Sequence, residues 1–350
     1  MALSTLRRRR WSAVPAIALA ALIALTGCAP ADDTEEAGGG DPAASALPAG
    51  EGTTQYPLTL TTWAGESVLE QRPERVAVIG FSPNYDALEV LGVTPVYAQG
   101  EESEWPWRDQ AWLSEIEFTD TATRRDPINF EGIASTNPDL IVAVNYIQDE
   151  VDFERLSTIA PVLENPEQVP GDQIRWQDTQ RLIGEALDLS AASDRVVTEA
   201  EQAIDAVGQA NPQFAGRTIT IATDYAETGI EYLTATGSTA EGVIRRMGFA
   251  PNPLAENFVA ERKVADEQIG SLDADVLVMF YFTEEAGRAE REQNPLFRSL
   301  PAVAENRYVS LLADDPGSEI TWVLRRGASA SSLPWTVEVL ADRVNQVDLT

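Results

Sequence analysis

The sequence has no histidine, one cysteine and one lysine among its 350 residues. Without histidine the chain cannot form His-dependent catalytic triads, and it cannot bind zinc, manganese or haem iron through imidazole. The single cysteine, Cys28, excludes an intramolecular disulfide. The enzyme signatures G-x-S-x-G, G-x-G-x-x-G, the phosphate loop, H-E-x-x-H and C-x-x-C are also missing. Most common enzyme classes are therefore excluded, but the abundant acids leave open a carboxylate pair of the kind that hydrolyses glycosides.

Positive charge is scarce throughout the chain. Arginine and lysine number 25 against 56 aspartates and glutamates, which gives a formal net charge of −31. A surface of this sign repels nucleic acid and anionic membrane surfaces, so we expect no nucleic-acid partner. The hydrophobic content of 44% is ordinary for a globular protein, and the length allows two domains.

One long apolar run is present, and it lies at the amino terminus. Arg7–Arg10 precede the apolar segment Val14–Leu25, which has the length of a signal-peptide core and is shorter than a usual membrane span. Leu25-Thr26-Gly27-Cys28 follows and resembles the bacterial lipoprotein box, in which the cysteine is diacylated and becomes the mature N-terminus. The alternatives are an ordinary secretory signal with a stray cysteine and a short membrane anchor. We predict a lipoprotein signal peptide over 1–27, lipidation at Cys28 and anchoring at the extracytoplasmic face of the cell membrane.

Two stretches further along the chain share one pattern. Phe130–Val144 (FEGIASTNPDLIVAV) and Asp266–Phe280 (DEQIGSLDADVLVMF) each begin with a short helix led by a glutamate and pass through a turn into a buried apolar strand. The matching positions, each pair 136 residues apart, are Glu131 and Glu267, Ile133 and Ile269, Ser135 and Ser271, and Asp139 and Asp275. The repeat predicts an α/β protein with two similar lobes. The alternative is that strand–helix proteins repeat such patterns without internal similarity.

A single helical segment separates the two copies. Residues 191–210 have apolar side chains at helical spacing, and about 1.5 Å per residue gives a rod of roughly 30 Å. We predict a first lobe over 56–190, a connecting helix over 191–211 and a second lobe over 212–350, with a ligand cleft between the lobes. Residues 28–55, which are poor in large apolar side chains, are predicted to form a flexible tether.

Four short motifs follow one another in the chain. They are Gly65-Glu66, Pro73-Glu74-Arg75-Val76, Leu91-Gly92-Val93-Thr94-Pro95-Val96, and the Glu131 to Ile141 segment with Ile133 and Pro138-Asp139-Leu140-Ile141. Each motif alone is weak, but all four in this order after a lipoprotein box form a specific pattern. Over about residues 58–345, the sequence resembles the iron-siderophore substrate-binding lipoproteins of ABC importers. The fold of that family, two lobes bridged by a rigid helix, agrees with the internal repeat.

The resemblance implies capture of a ferric siderophore and its delivery to an ABC permease, without catalysis. It implies a monomer with no cofactor or metal site of its own, because the iron is held within the siderophore. Cobalamin and haem are possible cargoes on the same fold, and haem would need an axial tyrosine or methionine here. Two further functions stay open: an envelope enzyme, such as a carboxylate-based glycoside hydrolase, and a structural envelope lipoprotein.

Candidate ligand contacts combine flat aromatic faces with arginine. Such a surface suits a ferric complex that has an apolar periphery and anionic oxygens, and ligands of α/β proteins bind beyond the carboxyl ends of strands. The candidates are Trp105, Trp107, Arg108, Tyr146, Tyr225, Arg262, Tyr281, Trp322 and Arg325. Two structural interpretations compete with this one: Trp105 and Trp107 could cover the core of the first lobe, and Trp322 could begin the final helical region.

Glu131 and Glu267 are candidates for a separate role. In the resembled family, one surface glutamate on each lobe contacts arginines of the permease, and these two residues occupy the matching positions. The alternative is that each carboxylate only stabilises the start of its helix through the helix dipole.

Overall fold

The computed structural model describes residues 47–99, 105–122 and 126–349. The strands of the first lobe are β1 (Leu58–Thr62), β2 (Gly65–Leu69), β3 (Val76–Val78), β4 (Tyr97–Gln99), β5 (Phe118–Asp120), β6 (Leu140–Val142) and β7 (Val162–Leu163). Its helices are α1 (Ser82–Val90), α2 (Gln110–Ser114), α3 (Phe130–Ser135), α4 (Glu150–Ser157) and α5 (Trp176–Ala186). β1 and β2 form an antiparallel hairpin. The other strands form one parallel sheet in the order β5-β4-β3-β6-β7.

The second lobe follows helix α6 (Ser190–Ala210). Its strands are β8 (Ile219–Asp224), β9 (Ile230–Tyr232), β10 (Lys263–Val264), β11 (Val276–Tyr281) and β12 (Tyr308–Leu312). Its helices are α7 (Thr239–Arg246), α8 (Glu285–Gln293), α9 (Pro295–Arg298), α10 (Pro301–Ala304), α11 (Ile320–Trp322) and α12 (Ser332–Val344). The sheet order is β10-β9-β8-β11-β12, in which β8, β11 and β12 are parallel and β9 and β10 run antiparallel to their neighbours.

Both sheets are covered on both faces. In β11, Val276, Val278 and Phe280 pack into one cluster of buried residues, whereas Leu277 and Met279 pack into another on the opposite face. Alternate residues of a strand point to opposite faces, so a strand buried on both sides reads as a continuous apolar run. Between α7 and α12, short 3-10 segments connect the strands, and one of them, Asp266–Leu272, leads toward β11.

Helix α6 joins the lobes as predicted. Its buried face carries Val197, Ala200 and Ile204 at helical spacing, and these residues belong to a core cluster of the second lobe. Its first turns pack against α5 of the first lobe, and it also contacts α12. The α/β fold with two lobes and one long connecting helix is therefore confirmed. None of the helices in the described ranges combines the length and the apolar character needed to span a membrane.

The predicted tether is too long at its carboxyl end. Leu47 is buried in the core of the first lobe, and the backbone N–H of Glu51 donates to the carbonyl of Asp188 at 2.8 Å. The hydroxyl of Thr54 donates to the carbonyl of Glu185 at 2.8 Å. These contacts fix the chain from about residue 47 onward, so the part of the predicted tether over 47–55 belongs to the first lobe. The signal peptide and Cys28 lie outside the described residues.

Candidate functional site

A cleft between the lobes contains two adjoining cavities. The first, of about 330 Å³, is the more enclosed, and the second, of about 500 Å³, is more open to solvent. Four residues line both cavities: Phe81, Gln148, Arg325 and Arg326. The first two follow β3 and β6 and the other two come from the second lobe, so the cleft lies beyond the carboxyl ends of parallel strands, where α/β proteins bind ligands.

Aromatic side chains from both lobes form one wall of the open cavity. The rings of Phe81 and Tyr146 meet edge to face with centroids 5.9 Å apart, and Phe81 lies 5.8 Å from Trp322 of the second lobe. The indole N–H of Trp322 donates to Oγ of Ser82 at 2.9 Å. Trp105 stacks on Trp322 with centroids 6.2 Å apart and extends this wall. Such faces can bury the apolar periphery of a bound molecule.

Two guanidinium groups line the same cavity as the aromatic wall. Arg325 pairs with the carboxylate of Glu231 at 2.9 Å and lies over the ring of Tyr225 at 5.4 Å. Arg326 lies 5.9 Å from the ring centroid of Phe81 and has no ion-pair partner among the described residues. Both arginines belong to a π-helical turn, Val323–Gly327, and such turns are frequent at functional sites.

A buried carboxylate shapes the enclosed cavity. Glu164 follows β7 and is 1% exposed. Its oxygens accept the backbone N–H groups of Asn145, Tyr146, Ile147 and Asn165, the middle two at 3.1 Å. Burial raises the pKa of Glu164, and the four N–H bonds oppose that rise. The result is a fixed loop after β6 that presents Tyr146 to the cleft.

Several predicted contacts meet in this cleft. Tyr146, Trp322 and Arg325 line the open cavity. Trp105 stacks on Trp322, and the ring of Tyr225 contacts the guanidinium group of Arg325.

The prediction for Arg108 is wrong. Its side chain is fully buried in the first lobe, where it pairs with Asp86 and, at 3.2 Å, with Glu89. Burial raises the pKa of Asp86, while the positive charge of Arg108 lowers it. Arg108 is therefore neutralised by carboxylates inside the protein, and it lines neither cavity.

The neighbouring Trp107 also faces the protein interior. Its indole N–H donates to both carboxylate oxygens of Asp86 at 3.2 Å, and its ring lies 5.3 Å from that of Trp335 in the second lobe. Asp86 further accepts the hydroxyl of Ser329, so this carboxylate connects the two lobes. Trp107 packs against the core cluster of the second lobe and lines neither cavity.

Two predicted contacts in the second lobe lie away from the cleft. Tyr281 is fully buried and its hydroxyl is hydrogen-bonded to that of Tyr308 at 2.8 Å. The alternation of β11 turns Tyr281 into the core, while the exposed Phe282 that follows stacks on Tyr225. Arg262 donates to the carbonyl of Phe258 at 3.0 Å, and it lines neither cavity.

Phe81 and Arg326 line the cleft but were not among the predicted ligand contacts, although the sequence gives a signal for each. Phe81 follows the buried strand β3 after two residues, as Tyr146 follows β6 after a short turn. Arg326 is the immediate neighbour of the selected Arg325. Glu164 had no comparable signal, because its role depends on backbone groups that the fold brings to it from the loop after β6.

Glu131 and Glu267 occupy equivalent places in the two lobes. Glu131 is exposed in the first turn of α3, which leads to β6, and Glu267 is exposed in the first turn of the 3-10 segment that leads to β11. Neither carboxylate has an ion-pair partner within the described ranges. Within those ranges, no group of three or more acidic or cysteine side chains is placed to hold a metal ion.

Comparison with known proteins gives the context of this cleft. A Bacillus subtilis (strain 168) protein described as an ABC transporter substrate-binding lipoprotein, YhfQ, is 24% identical over 314 residues, which cover 83% of this chain and 90% of YhfQ. The crystal structure of Streptococcus pneumoniae PiaA in complex with ferrichrome matches with a TM-score of 0.67 at 19% identity, over 83% of this chain and 99% of PiaA. Staphylococcus aureus SirA complexed with staphyloferrin B matches with a TM-score of 0.66 at 19% identity, over 84% of this chain and 100% of SirA.

At these identities the two structures establish the fold. The family assignment comes from the sequence itself, because residues 78–314 match the model of one family. That match spans both lobes and the connecting helix α6. The chain therefore belongs to the periplasmic binding protein family.

Proposed function

We propose that this protein captures a ferric siderophore in the cleft between its lobes and delivers it to an ABC importer. The family supports this proposal, and so do the relatives, one described as an ABC substrate-binding lipoprotein and two crystallised with the siderophores named above. Lipidation at Cys28 would hold the protein at the extracytoplasmic face of the cell membrane, within diffusional reach of its permease.

The observation that carries the proposal is that an aromatic wall and two arginines line the same cavity of the cleft. Phe81, Tyr146 and Trp322 offer flat apolar faces, and Arg325 and Arg326 offer charge-assisted hydrogen bonds to ligand oxygens. The iron stays inside the chelator, so the protein needs only to recognise the surface of the complex. Aromatic burial and a few such bonds in a cleft give dissociation constants of about micromolar to nanomolar.

Haem is one alternative cargo, and it would need an axial ligand from a tyrosine or a methionine. The two methionines within the described residues, Met247 and Met279, are fully buried in the cores of the second lobe. Tyr146 lines the open cavity, and its hydroxyl oxygen could serve as an axial ligand. A Tyr146→Phe variant removes that oxygen and keeps the ring, so haem binding would be lost while siderophore binding would be largely kept.

The test is a titration of the full-length protein, purified in detergent, followed by intrinsic tryptophan fluorescence. The titrants are ferric hydroxamate, catecholate and citrate complexes, then cobalamin and haem, each beside its iron-free or metal-free form where one exists. We expect saturable quenching by one ferric class at submicromolar concentration and much weaker quenching by the iron-free chelator. Saturation by haem or cobalamin alone would change the cargo, and no response to any of them would refute the proposal.

A further inference from the structure

Helix α1 of the first lobe turns one face toward the second lobe. Ser82, Asp86 and Val90 follow one another at a spacing of four residues, so they lie on the same face of the helix. Ser82 and Asp86 are 0% exposed although both side chains are polar. Buried polar groups need hydrogen-bond partners, and for each of these two a partner comes from the second lobe.

The contacts between the lobes run along this face from end to end. The indole N–H of Trp322 donates to Oγ of Ser82 at 2.9 Å, and the hydroxyl of Ser329 donates to the carboxylate of Asp86 at 2.5 Å. At the far end, Val90 packs against the core cluster of the second lobe. These five residues form a continuous strip of contact, which we call the interlobe seam.

The carboxylate at the centre of the seam is fixed from its own lobe. Arg108 pairs with Asp86, and the indole N–H of Trp107 donates to both carboxylate oxygens at 3.2 Å. Burial removes the water shell of this charge, so it needs several donors from the protein. When the lobes are together, the hydroxyl of Ser329 takes the place of water there. A variant without this hydroxyl would leave the buried charge with one donor fewer.

The second-lobe side of the seam is bonded to the turn that carries the cleft arginines. Oγ of Ser329 accepts the backbone N–H of Ser332 at 3.0 Å, and the hydroxyl of Ser332 donates to the carbonyl of Gly327 at 2.8 Å. Gly327 ends the π-helical turn that contains Arg325 and Arg326, and both arginines line the two cavities. Ser329 lines neither cavity, so it can affect a ligand only through the position of this turn.

We infer that the interlobe seam fixes the width of the ligand cleft, with Ser82, Asp86 and Ser329 as positioning residues. On the first-lobe side, Phe81 directly precedes Ser82 and lines both cavities. On the second-lobe side, Trp322 belongs to the seam and also lines the open cavity. The seam therefore holds the two walls of the cleft at a set distance before a ligand arrives, which lowers the cost of binding. The inference rests on the proposed function only for the ligand, because the seam belongs to the free protein.

A population argument gives the form of the expected effect. A ligand that needs both walls binds with an affinity reduced to the fraction of molecules whose lobes are together. Loss of one seam hydrogen bond should shift the balance between joined and separated lobes about fivefold or more. The first loss is partly hidden while most molecules remain joined, and a second loss is then expressed in full. Two losses should therefore weaken binding by more than the product of their separate effects.

The first experiment needs no ligand and measures hydrogen–deuterium exchange of the full-length protein in detergent by mass spectrometry. Ser329→Ala should speed amide exchange in α1 of the first lobe, and Ser82→Ala should speed exchange over 328–335 of the second lobe. The control is Ser193→Ala, because Ser193 is also 0% exposed but donates to the carbonyl of Gln180 at 3.1 Å, between α6 and α5. It should leave both segments at wild-type rates. Faster exchange confined to the substituted lobe would overturn the inference.

The second experiment measures affinity by the fluorescence titration with ferrichrome, a ferric tris-catecholate and ferric citrate. For a complex that saturates the wild type, Ser82→Ala/Ser329→Ala should weaken binding about tenfold or more, and by more than the product of the single variants. Ser193→Ala should keep wild-type affinity. Unchanged affinity of the double variant, or a loss matched by the control, would overturn the positioning role. If no ferric complex binds the wild type, the proposed function fails, and the exchange experiment still decides whether the seam joins the lobes.

Discussion

Asp139 and Asp275 make equivalent contacts in the two lobes. Asp139, just before β6, accepts the backbone N–H groups of Glu74 and Arg75, both at 2.8 Å, where the chain enters β3. Asp275, just before β11, accepts the N–H and the hydroxyl of Thr218, at 2.8 and 3.0 Å, where the chain enters β8. Each aspartate thus ties together the first residues of two neighbouring parallel strands, and the internal repeat is confirmed as a structural one.

These contacts predict equal and independent effects on stability. Asp139→Ala and Asp275→Ala should each lower the free energy of unfolding by about 2 kcal/mol, because the first leaves two backbone N–H groups and the second leaves one N–H and one hydroxyl without an acceptor. The sites lie in different lobes, so the double variant should lose the sum within about 0.5 kcal/mol. Urea denaturation measures this, and Asp342→Ala at an exposed position of α12 should change little. A clear effect of one variant and none of the other would contradict the structural equivalence.

The sequence predicted the architecture well because the architecture follows from local patterns. Apolar runs, helix-ending glycines and the 136-residue repeat are local or regular features. Helix α6, predicted over 191–211, spans Ser190–Ala210. The amino-terminal end of the first lobe was missed because Glu51 and Thr54 are held by residues more than a hundred positions later.

The site was predicted less completely, for a physical reason. An arginine beside tryptophans can face a ligand or an internal carboxylate, and the composition of the loop does not distinguish these cases. Arg108 pairs with Asp86, which lies on α1, and Tyr281 bonds to Tyr308, which lies on β12. Tyr146 and Trp322, two of the predicted ligand contacts, line the open cavity, and Tyr146 could be placed there because ligands of α/β proteins bind beyond the carboxyl ends of parallel strands.

Replacing two helical glycines by alanine should change the free energy of unfolding in opposite directions. Gly184 of α5 faces α6 so closely that an added Cβ would lie 2.8 Å from the Cβ of the buried Ser193. Gly184→Ala should therefore lower the free energy of unfolding by about 1–3 kcal/mol through overpacking. Gly242 of α7 has open space at that position, so Gly242→Ala should raise it by up to about 1 kcal/mol through helix propensity. Equal effects of the two substitutions in thermal denaturation would show that α5 and α6 can separate without cost.

Arg326 is predicted to contribute to affinity and not to stability. It lines both cavities and has no ion-pair partner among the described residues. Arg326→Gln should weaken ligand binding about tenfold or more, the usual scale of a charge-assisted hydrogen bond, and should leave the melting temperature unchanged. Arg298→Gln, at an exposed position of α9, removes the same charge away from the cleft. Equal affinities of these two variants in the fluorescence titration would remove Arg326 from the site.

The burial of Glu164 predicts that its contribution to the stability of the folded protein falls as the pH rises. Burial raises its pKa in the folded protein, so the folded state takes up a proton more readily than the unfolded state does. Its contribution to stability is therefore fully present below the ordinary glutamate pKa and is lost as the pH rises through the raised value. The loss of unfolding free energy caused by Glu164→Gln should accordingly be largest in acid and should shrink toward neutral pH. A loss that grows with pH would mean that the four backbone N–H bonds outweigh burial.

The last prediction concerns delivery to the permease through Glu131 and Glu267. Both are exposed at equivalent positions of the two lobes, so a two-lobed docking surface would use them together. In cells that depend on this protein for iron, the double variant Glu131→Ala/Glu267→Ala should lose most uptake of the labelled ferric complex, because it leaves the permease arginines without partners. Its export and its ligand affinity, measured on the purified protein, should equal those of the wild type.

The control for this prediction removes the same charge elsewhere. Glu199 and Glu338 are exposed on α6 and α12, and Glu199→Ala/Glu338→Ala lowers the net negative charge by the same amount. If long-range attraction to the permease were the cause, both double variants would lose uptake to a similar extent and high ionic strength would reduce the difference from wild type. Specific docking instead requires that only the Glu131 and Glu267 variant loses uptake, with each single variant in between. Undiminished uptake by a folded and exported double variant would leave these carboxylates with only their helix-start role.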